Sequence, residues 1–298
     1  MDHLKQLQAF VNAAGRGSLS AAAQLEGVTP AVIGRRLDSL EARLGVRLLQ
    51  RSTRKLSLTF EGQAFLEDCQ RILNDLANAE AAVSLGGIRA NGHLKVSAPA
   101  GFGRQHVAPR VSEFMDANPD VSVRLDLTDR LVDLRNEGVD CAIRIGELAD
   151  STLASSKLGE MRRLVVASPA YLERHPVPRT PDDLAAHNCL SLGQQRGWSL
   201  RQSPGGEVVN VKVTGSFECN DGAVLHQWAL AGKGLAWRSL WEVGEDLRYG
   251  RLVALLDEYA VPPLGIYAVF PERRHLPLRV RLFIDHLKQT FGDPHYWQ

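Results

Sequence analysis

Apolar positions recur at helical spacing from Leu4 to Val83, and from His93 onward the texture changes to alternating and continuous apolar runs. Leu4, Leu7, Phe10, Val11 and Ala14 form one stripe, which predicts a first helix over residues 3–14 ended by Gly15 and Gly17. Ser18 is an N-cap residue type, and Ala21, Ala22 and Ala23 behind it are helix formers small enough to admit a close neighbour. Gly27 ends that second helix, and Thr29-Pro30 starts a third, with Thr as the cap and Pro where no amide is needed. Ile33, Leu37, Leu40 and Leu44 share one face of it, opposite Ala31, Val32, Gly34, Arg35 and Asp38 with Arg36 to one side. Small residues followed by arginines suit a helix that enters a DNA major groove, about 12 Å wide. A plain helical hairpin with a solvated basic face is the competing reading.

Residues 47–50 and 56–58 read as short strands flanking Arg51-Ser52-Thr53-Arg54-Lys55, a basic wing of the kind that contacts phosphate or a minor groove. Thr59 caps a long helix predicted over 60–88. Its Phe65, Cys69, Ile72, Leu76, Ala79 and Val83 are spaced alternately by four and three residues, a coiled-coil seam that predicts pairing with a second copy. At about 1.5 Å per residue this helix spans roughly 40 Å, enough to hold two DNA-binding heads apart. Gly86-Gly87 and Asn91-Gly92 mark a hinge.

Beyond the hinge, strands are expected at 93–98, 121–127 and 140–145. A helix over 103–117 and a short one over 131–136 intervene, giving a βαβαβ lobe with a parallel sheet. A second set follows, with strands at 163–168, 189–192, 208–213 and 235–237 and helices at 168–175, 221–231 and 241–247. A late strand at 265–270 and a helix at 278–291 return to the first lobe. The fold class is therefore a multidomain α/β chain: a winged helix-turn-helix at 1–59, a linker and dimerisation helix with its hinge at 60–89, and a two-lobed α/β domain at 90–298. Lobe I covers about 90–162 and 268–298, and lobe II about 163–267.

Composition changes this picture little, but charge placement does. Hydrophobic content of 44% and charged content of 23% are ordinary for a soluble globular chain, and the net charge is only +1. Yet residues 1–59 hold nine Lys/Arg against four acids, so the small module is basic and the rest is acidic. That asymmetry is expected when one part alone meets phosphate. No apolar run reaches membrane-spanning length and MDHLKQLQAF is not a secretion signal, so a cytoplasmic protein with no membrane partner is expected. Cys69, Cys141, Cys189 and Cys219 are scattered, which predicts free thiols and neither zinc nor disulfides.

A cleft between the two lobes lies at the carboxyl ends of strands, where open α/β sheets take ligands. The stretch Ser97–Gly103 places a strand end before a helix start whose amides can hold an anion. Thr128, Arg144, Asn220, Asp221 and Trp237 sit at other strand or helix ends, with Leu192 and Trp198 as further wall candidates. The set suits a small organic anion, aromatic if Phe102 and Trp237 face it. Each has a structural alternative: Asp221 as a helix cap, Arg144 as a solvated strand end, Trp237 as core. Enzyme signatures are absent from the sequence: no G-x-S-x-G, no P-loop, no H-E-x-x-H, no third glycine after Gly101-Phe102-Gly103, and no metal spacing among the nine histidines. No cofactor, metal or catalytic residue is expected.

The LxxF at Leu7–Phe10, the stretch GSLSAAAQLEGVTPAVIGRRLDSLEARLGVRLLQRSTRKLSLT ending at Thr59, and DCAIRIGEL at Asp140–Leu148 resemble the LysR-type transcriptional regulators over the whole chain. The resemblance implies a winged helix-turn-helix, a dimerising linker helix and an effector domain like a periplasmic binding protein. It further implies homodimers assembled into homotetramers on double-stranded promoter DNA, a small-molecule effector that alters DNA bending, and RNA polymerase as a candidate partner. By motif position it puts DNA contacts at Ser20, Thr29, Pro30, Ala31, Gly34, Arg35 and Arg36, and at Arg51, Ser52, Thr53, Arg54 and Lys55 of the wing. Effector contacts fall at Ser97, Pro99, Ala100, Phe102, Thr128, Arg144, Asn220 and Asp221. Two departures stand out. Gly34 replaces a serine common in the family, which removes a hydroxyl from the reading face. Leu25-Glu26 is inverted relative to the usual order. An enzyme with a DNA-binding appendage and a redox sensor using Cys141, Cys189 or Cys219 are the alternatives to a ligand-responsive regulator.

Overall fold

The computed structural model describes residues 2–51, 56–83, 90–148, 153–193, 197–271 and 276–297, and only the backbone at 51, 74, 78–83, 294 and 295. Ser52, Thr53, Arg54 and Lys55, the side chains of Arg51, Ala79 and Val83, and the Gly86-Gly87 hinge therefore lie outside the described residues. The chain divides into two compact units: residues 1–94 with 118–123 and 274–279, and residues 95–117 with 124–273 and 280–298.

In the first unit, α1 (His3–Arg16), α2 (Leu19–Leu25) and α3 (Pro30–Leu44) are followed by β1 (Leu49–Arg51), β2 (Leu56–Leu58) and α4 (Phe60–Val83). Asp2 caps α1 through the Leu4 amide at 3.1 Å, and Ser18 Oγ accepts from Ala21 N at 3.4 Å to start α2. Thr29 holds the N-cap position of α3 without a side-chain bond, so Pro30 at the first turn sets that start. Gly27 lies at φ 63°, where any L side chain is strained, and this turns the chain from α2 into α3. Ala22 and Ala23 are buried against Phe10, Ala13, Ile33, Leu37 and Leu40, so their small size sets the helix spacing, as the sequence suggests. β1 and β2 pair antiparallel, Leu49 opposite Leu58 and Arg51 opposite Leu56. The base of this wing is held by a buried carboxylate: Glu41 accepts from Leu48 N at 2.8 Å, Leu49 N at 3.0 Å and Arg47 Nη1 at 2.9 Å. Thr59 starts α4, its Oγ1 accepting from Gly62 N at 2.9 Å and donating to Arg47 O at 2.7 Å.

The seam expected along α4 is corrected at its first two positions. Phe65 stacks on Phe10 at 5.9 Å between ring centroids, and Cys69 is fully buried in the three-helix core. The start of α4 crosses α1 and is consumed by its own chain. Ile72, 41% exposed, and the half-buried Leu76 are the seam positions left over among the described side chains.

In chain order the remaining elements are β3 (Gly92–Ala98), α5 (Ala100–Phe102), a π-turn (Gly103–Val107), α6 (Ala108–Ala117), β4 (Val121–Leu127), β5 (Cys141–Ile145), β6 (Leu153–Met161), β7 (Arg163–Ala167), α7 (Pro169–Leu172), β8 (Cys189–Leu192), β9 (Gly197–Arg201) and β10 (Val208–Lys212). Then come β11 (Glu218–Cys219), α8 (Gly222–Leu230), β12 (Leu235–Ser239), α9 (Leu240–Arg248), β13 (Val253–Leu255), β14 (Leu264–Pro271) and α10 (Leu278–Phe291). One five-stranded sheet has the order β4-β3-β5-β14-β6 and the other β11-β8-β12-β7-β13. The all-parallel sheet expected for the first lobe is corrected. β3 and β5 run parallel, but β14 returns antiparallel to both β5 and β6. The second sheet is also mixed, with β12 parallel to β8 and antiparallel to β7. The short helix expected at 131–136 is a turn. Its Asp133 carboxylate takes the Arg135 and Asn136 amides at 3.1 Å, which competes with a helical ladder. β6, β9, β11 and β13 escape sequence reading. β6 is an edge strand whose outward positions are polar, so its hydrophobic period is broken.

Candidate DNA-binding face and effector cleft

On the first unit, Ser20, Thr29, Pro30, Ala31 and Arg35 are exposed and Gly34 is half-buried. A Cβ built on Gly34 meets nothing within 4 Å, so this face is flat and open there. Arg36 departs from expectation. Its side chain is 17% exposed and its guanidinium pairs with Glu26, whose other oxygen accepts from Asn12 Nδ2 at 2.9 Å. Arg36 is thus a tie between α3 and the end of α2 rather than a cation open to phosphate. The same pair explains the inverted Leu25-Glu26 order: Leu25 is left 56% exposed, while Glu26 faces inward onto Arg36 and Asn12.

Within the second unit, Pro99, Ala100, Phe102, Thr128, Arg144, Asn220, Asp221 and Trp237 line one cavity of about 500 Å³. They converge because α5 begins where β3 ends, Thr128 and Arg144 sit at the ends of β4 and β5, and α8 opens after β11. Leu192 joins them. Ser97 does not line the cavity; it is fully buried and its hydroxyl has no partner. Trp198 belongs to the core beneath β8 and β12. The amides expected to hold an anion at the start of α5 are partly spoken for, since Ala100 N donates to Asp129 Oδ1 at 3.0 Å.

The alternatives for individual residues now resolve. Asp221 caps α8 through Ala223 N at 2.8 Å and still faces the cavity. Arg144 is not a solvated strand end: its Nη2 is buried with no hydrogen-bond partner, and burial pushes its pKa below the usual guanidinium range. Trp237 is packed into the core and lines the cavity, with the Arg163 guanidinium 4.7 Å above its ring.

Sequence reasoning missed several lining residues, chiefly Arg163, Arg238, His226, Trp241 and Glu242. Arg163 and Arg238 lie on the paired strands β7 and β12, where Arg238 stands opposite Leu164 and Ser239 opposite Arg163. Only strand pairing brings them together. Arg238 gives Nε at 2.9 Å and Nη2 at 2.5 Å to Glu242 Oε2. Burial pushes the Glu242 carboxyl above its ordinary range, with Arg238 acting against that rise. Burial lowers the Arg163 pKa, and neighbouring Arg238 lowers it further. His226 Nε2 is 2.6 Å from Asp246 Oδ2. Trp241 Nε1 is buried without a partner. Behind the cavity, Phe102 and His106 pack against Trp241, Trp297 and Tyr296 in one aromatic cluster.

No grouping of three metal-ligating side chains occurs among the described residues, and none of their helices is long and apolar enough to cross a membrane. Cys69, Cys141 and Cys189 are buried, and desolvation pushes each thiol up to about 12, away from the reactive thiolate.

Two family descriptions match the sequence: "Bacterial regulatory helix-turn-helix protein, lysR family" over residues 4–63, and "LysR substrate binding domain" over 88–292. The chain is 38% identical to the HTH-type transcriptional regulator DmlR of Escherichia coli K12, over 98% of this chain and 95% of that one. It is 35% identical to the HTH-type transcriptional activator TtdR of the same strain, over 97% and 95%. Among solved structures it resembles full-length AphB, the Vibrio cholerae virulence activator, at 31% identity and TM-score 0.62, covering 98% of this chain and 100% of that one. It resembles CrgA of Neisseria meningitidis at 31% identity and the same TM-score, covering 97% and 99%.

Proposed function

The chain belongs to the LysR family of bacterial transcriptional regulators, and from that premise we propose that a small organic anion in the 500 Å³ cleft governs how it occupies promoter DNA. The observation that carries it is Arg144. A guanidinium nitrogen buried at a cavity wall with no partner is costly unless a ligand satisfies it.

On the DNA side, Ser20, Thr29, Pro30, Ala31, Gly34 and Arg35 form the groove-facing set, with the wing at Arg51–Lys55 supplying further cations. Arg36 is withdrawn from it. Among the seam residues whose side chains are described, Ile72 and Leu76 remain to meet a second copy, and with Ala79 and Val83 beyond them they support a homodimer and, through the effector units, a homotetramer. Chromosomal DNA as the partner places the protein in the cytoplasm, with RNA polymerase as a further contact at the promoter. The relatives are transcriptional regulators, so the reading is non-enzymatic.

A gel-shift titration on DNA upstream of the protein's own gene tests the reading. Binding is expected to be strongly salt-dependent and to collapse in Arg35→Glu. Retention of full affinity by Arg35→Glu, or salt-independent binding, overturns the assignment of this face.

A further inference from the structure

Resting on the reading of the cleft as the effector site, we propose that its ligand is a dianion, a small dicarboxylate whose two acid groups are taken by Arg144 from one sheet and Arg163 from the other. Each ionisable group in the cavity can be accounted for. Glu242 is engaged by two nitrogens of Arg238. The Asp221 carboxylate accepts from Ala223 N and the Asp129 carboxylate from Ala100 N, and both are exposed, so solvent screens their charge. His226 is held by Asp246. Arg104 is exposed. Arg144 and Arg163 are left, and among the described residues neither forms an ion pair with a carboxylate.

Both are desolvated, and the one charge acting on Arg163 more strongly than Glu242 is another arginine, Arg238. A monoanion compensates one of the two and leaves the other guanidinium desolvated with no carboxylate partner. A dianion compensates both.

The geometry is suited to this. Arg144 sits near the end of β5, the central strand of its sheet, and Arg163 opens β7 of the second sheet. The Trp237 ring under Arg163 fixes the plane of that guanidinium and leaves its edge N–H groups to meet a carboxylate side-on. Between the two ends, Thr128 and Asn220 line the same cavity and can bond a hydroxylated or carbonyl-bearing middle, with the Trp241 ring as a further wall. Because the acid groups are held by different sheets, ligand length becomes the specificity determinant, and binding ties the sheets together.

Isothermal titration of the full-length protein with a series of α,ω-dicarboxylates from malonate to adipate, each beside the monocarboxylate of equal chain length and beside inorganic phosphate, tests this. One dicarboxylate is expected to bind at least about tenfold tighter than its monoacid partner, the value of one charged hydrogen-bonding pair. Arg144→Gln and Arg163→Met, the latter keeping the side-chain stem over Trp237, should each reduce diacid binding to about the monoacid level. Circular dichroism and the unfolding midpoint report whether either variant is folded; diacid binding to a folded Arg144→Gln and to wild type is compared if Arg163→Met is not. Equal affinity for monoacid and diacid, or indifference to both substitutions, overturns the dianion while leaving an anion site standing. Preference for phosphate over every diacid overturns the dicarboxylate class. No binding of any acid by protein that still shifts DNA overturns the cleft reading with it.

Discussion

Glu41→Ala is the most informative single change outside the cleft. Glu41 is 4% exposed and accepts from two buried amides, those of Leu48 and Leu49, so it ties the end of α3 to the base of the wing. Alanine strands both donors. Each unsatisfied buried donor costs about 1–3 kcal/mol, and partial rescue by water brings the total to about 2–4 kcal/mol. Glu41→Gln keeps an acceptor but loses the charge, which roughly halves such bonds and costs about 1 kcal/mol. Arg47→Ala removes a partner that is 74% exposed, and screening by solvent keeps that loss under about 1 kcal/mol.

Tryptophan fluorescence cannot read this loss, because Trp198, Trp228, Trp237, Trp241 and Trp297 all lie outside the first unit. Hydrogen exchange can. Protection of the Leu48 and Leu49 amides should fall by about 30-fold or more in Glu41→Ala, with the Trp198–Leu200 segment of the second unit unchanged. The pH dependence has a definite sign. Burial raises the Glu41 pKa, but the two amides and Arg47 outweigh it and hold it below the ordinary 4.5. Its contribution is therefore full above about pH 4.5 and is lost as pH falls through the lower, folded-state value. Below pH 4.5 the gap between wild type and Glu41→Gln should close. Equal protection in wild type and Glu41→Ala, or a loss in Arg47→Ala as large as in Glu41→Ala, refutes the reasoning.

Three further outcomes follow from the same geometry. Arg35→Ala should weaken DNA binding with stability unchanged, whereas Arg36→Ala should cost about 1–3 kcal/mol by stranding Glu26; thermal unfolding beside gel shifts separates them. Gly34→Ala should stabilise the first unit by about 0.5–1 kcal/mol, since open space surrounds the new methyl and glycine is a poor helix former, and amide protection along α3 checks it. Trp297→Ala should destabilise the second unit by about 1–3 kcal/mol in denaturant melts, because the indole closes the cluster over Phe102 and His106 from a half-exposed position.

The first unit was largely legible because its signals are local. Ser18, Gly27, Thr29-Pro30 and the Ile33-Leu37-Leu40 stripe each mark a helix end or face within a few residues. Thr128 and Asn220 were legible as cleft residues from their places at a strand end and a helix start, and the cavity includes both. Three kinds of information were not legible. A heptad seam does not say which of its residues another helix of the same chain has already covered, and Phe65 and Cys69 are covered in that way. Charge alone does not separate Arg35 from Arg36, because the partner of Arg36 sits ten residues back, just past the end of α2. Arg163 and Arg238 reach the cleft through the pairing of β7 with β12, a contact between distant segments that no local pattern encodes.

The central claim is that occupancy of the cleft changes how the protein sits on DNA. Footprinting of the full-length protein on the region upstream of its gene, with and without a saturating mixture of the dicarboxylates above, measures this directly. In wild type the protected stretch or its hypersensitive bend should change when the acids are added, and in Arg144→Gln it should not. An identical footprint with and without acids that titration shows to be bound would contradict the account.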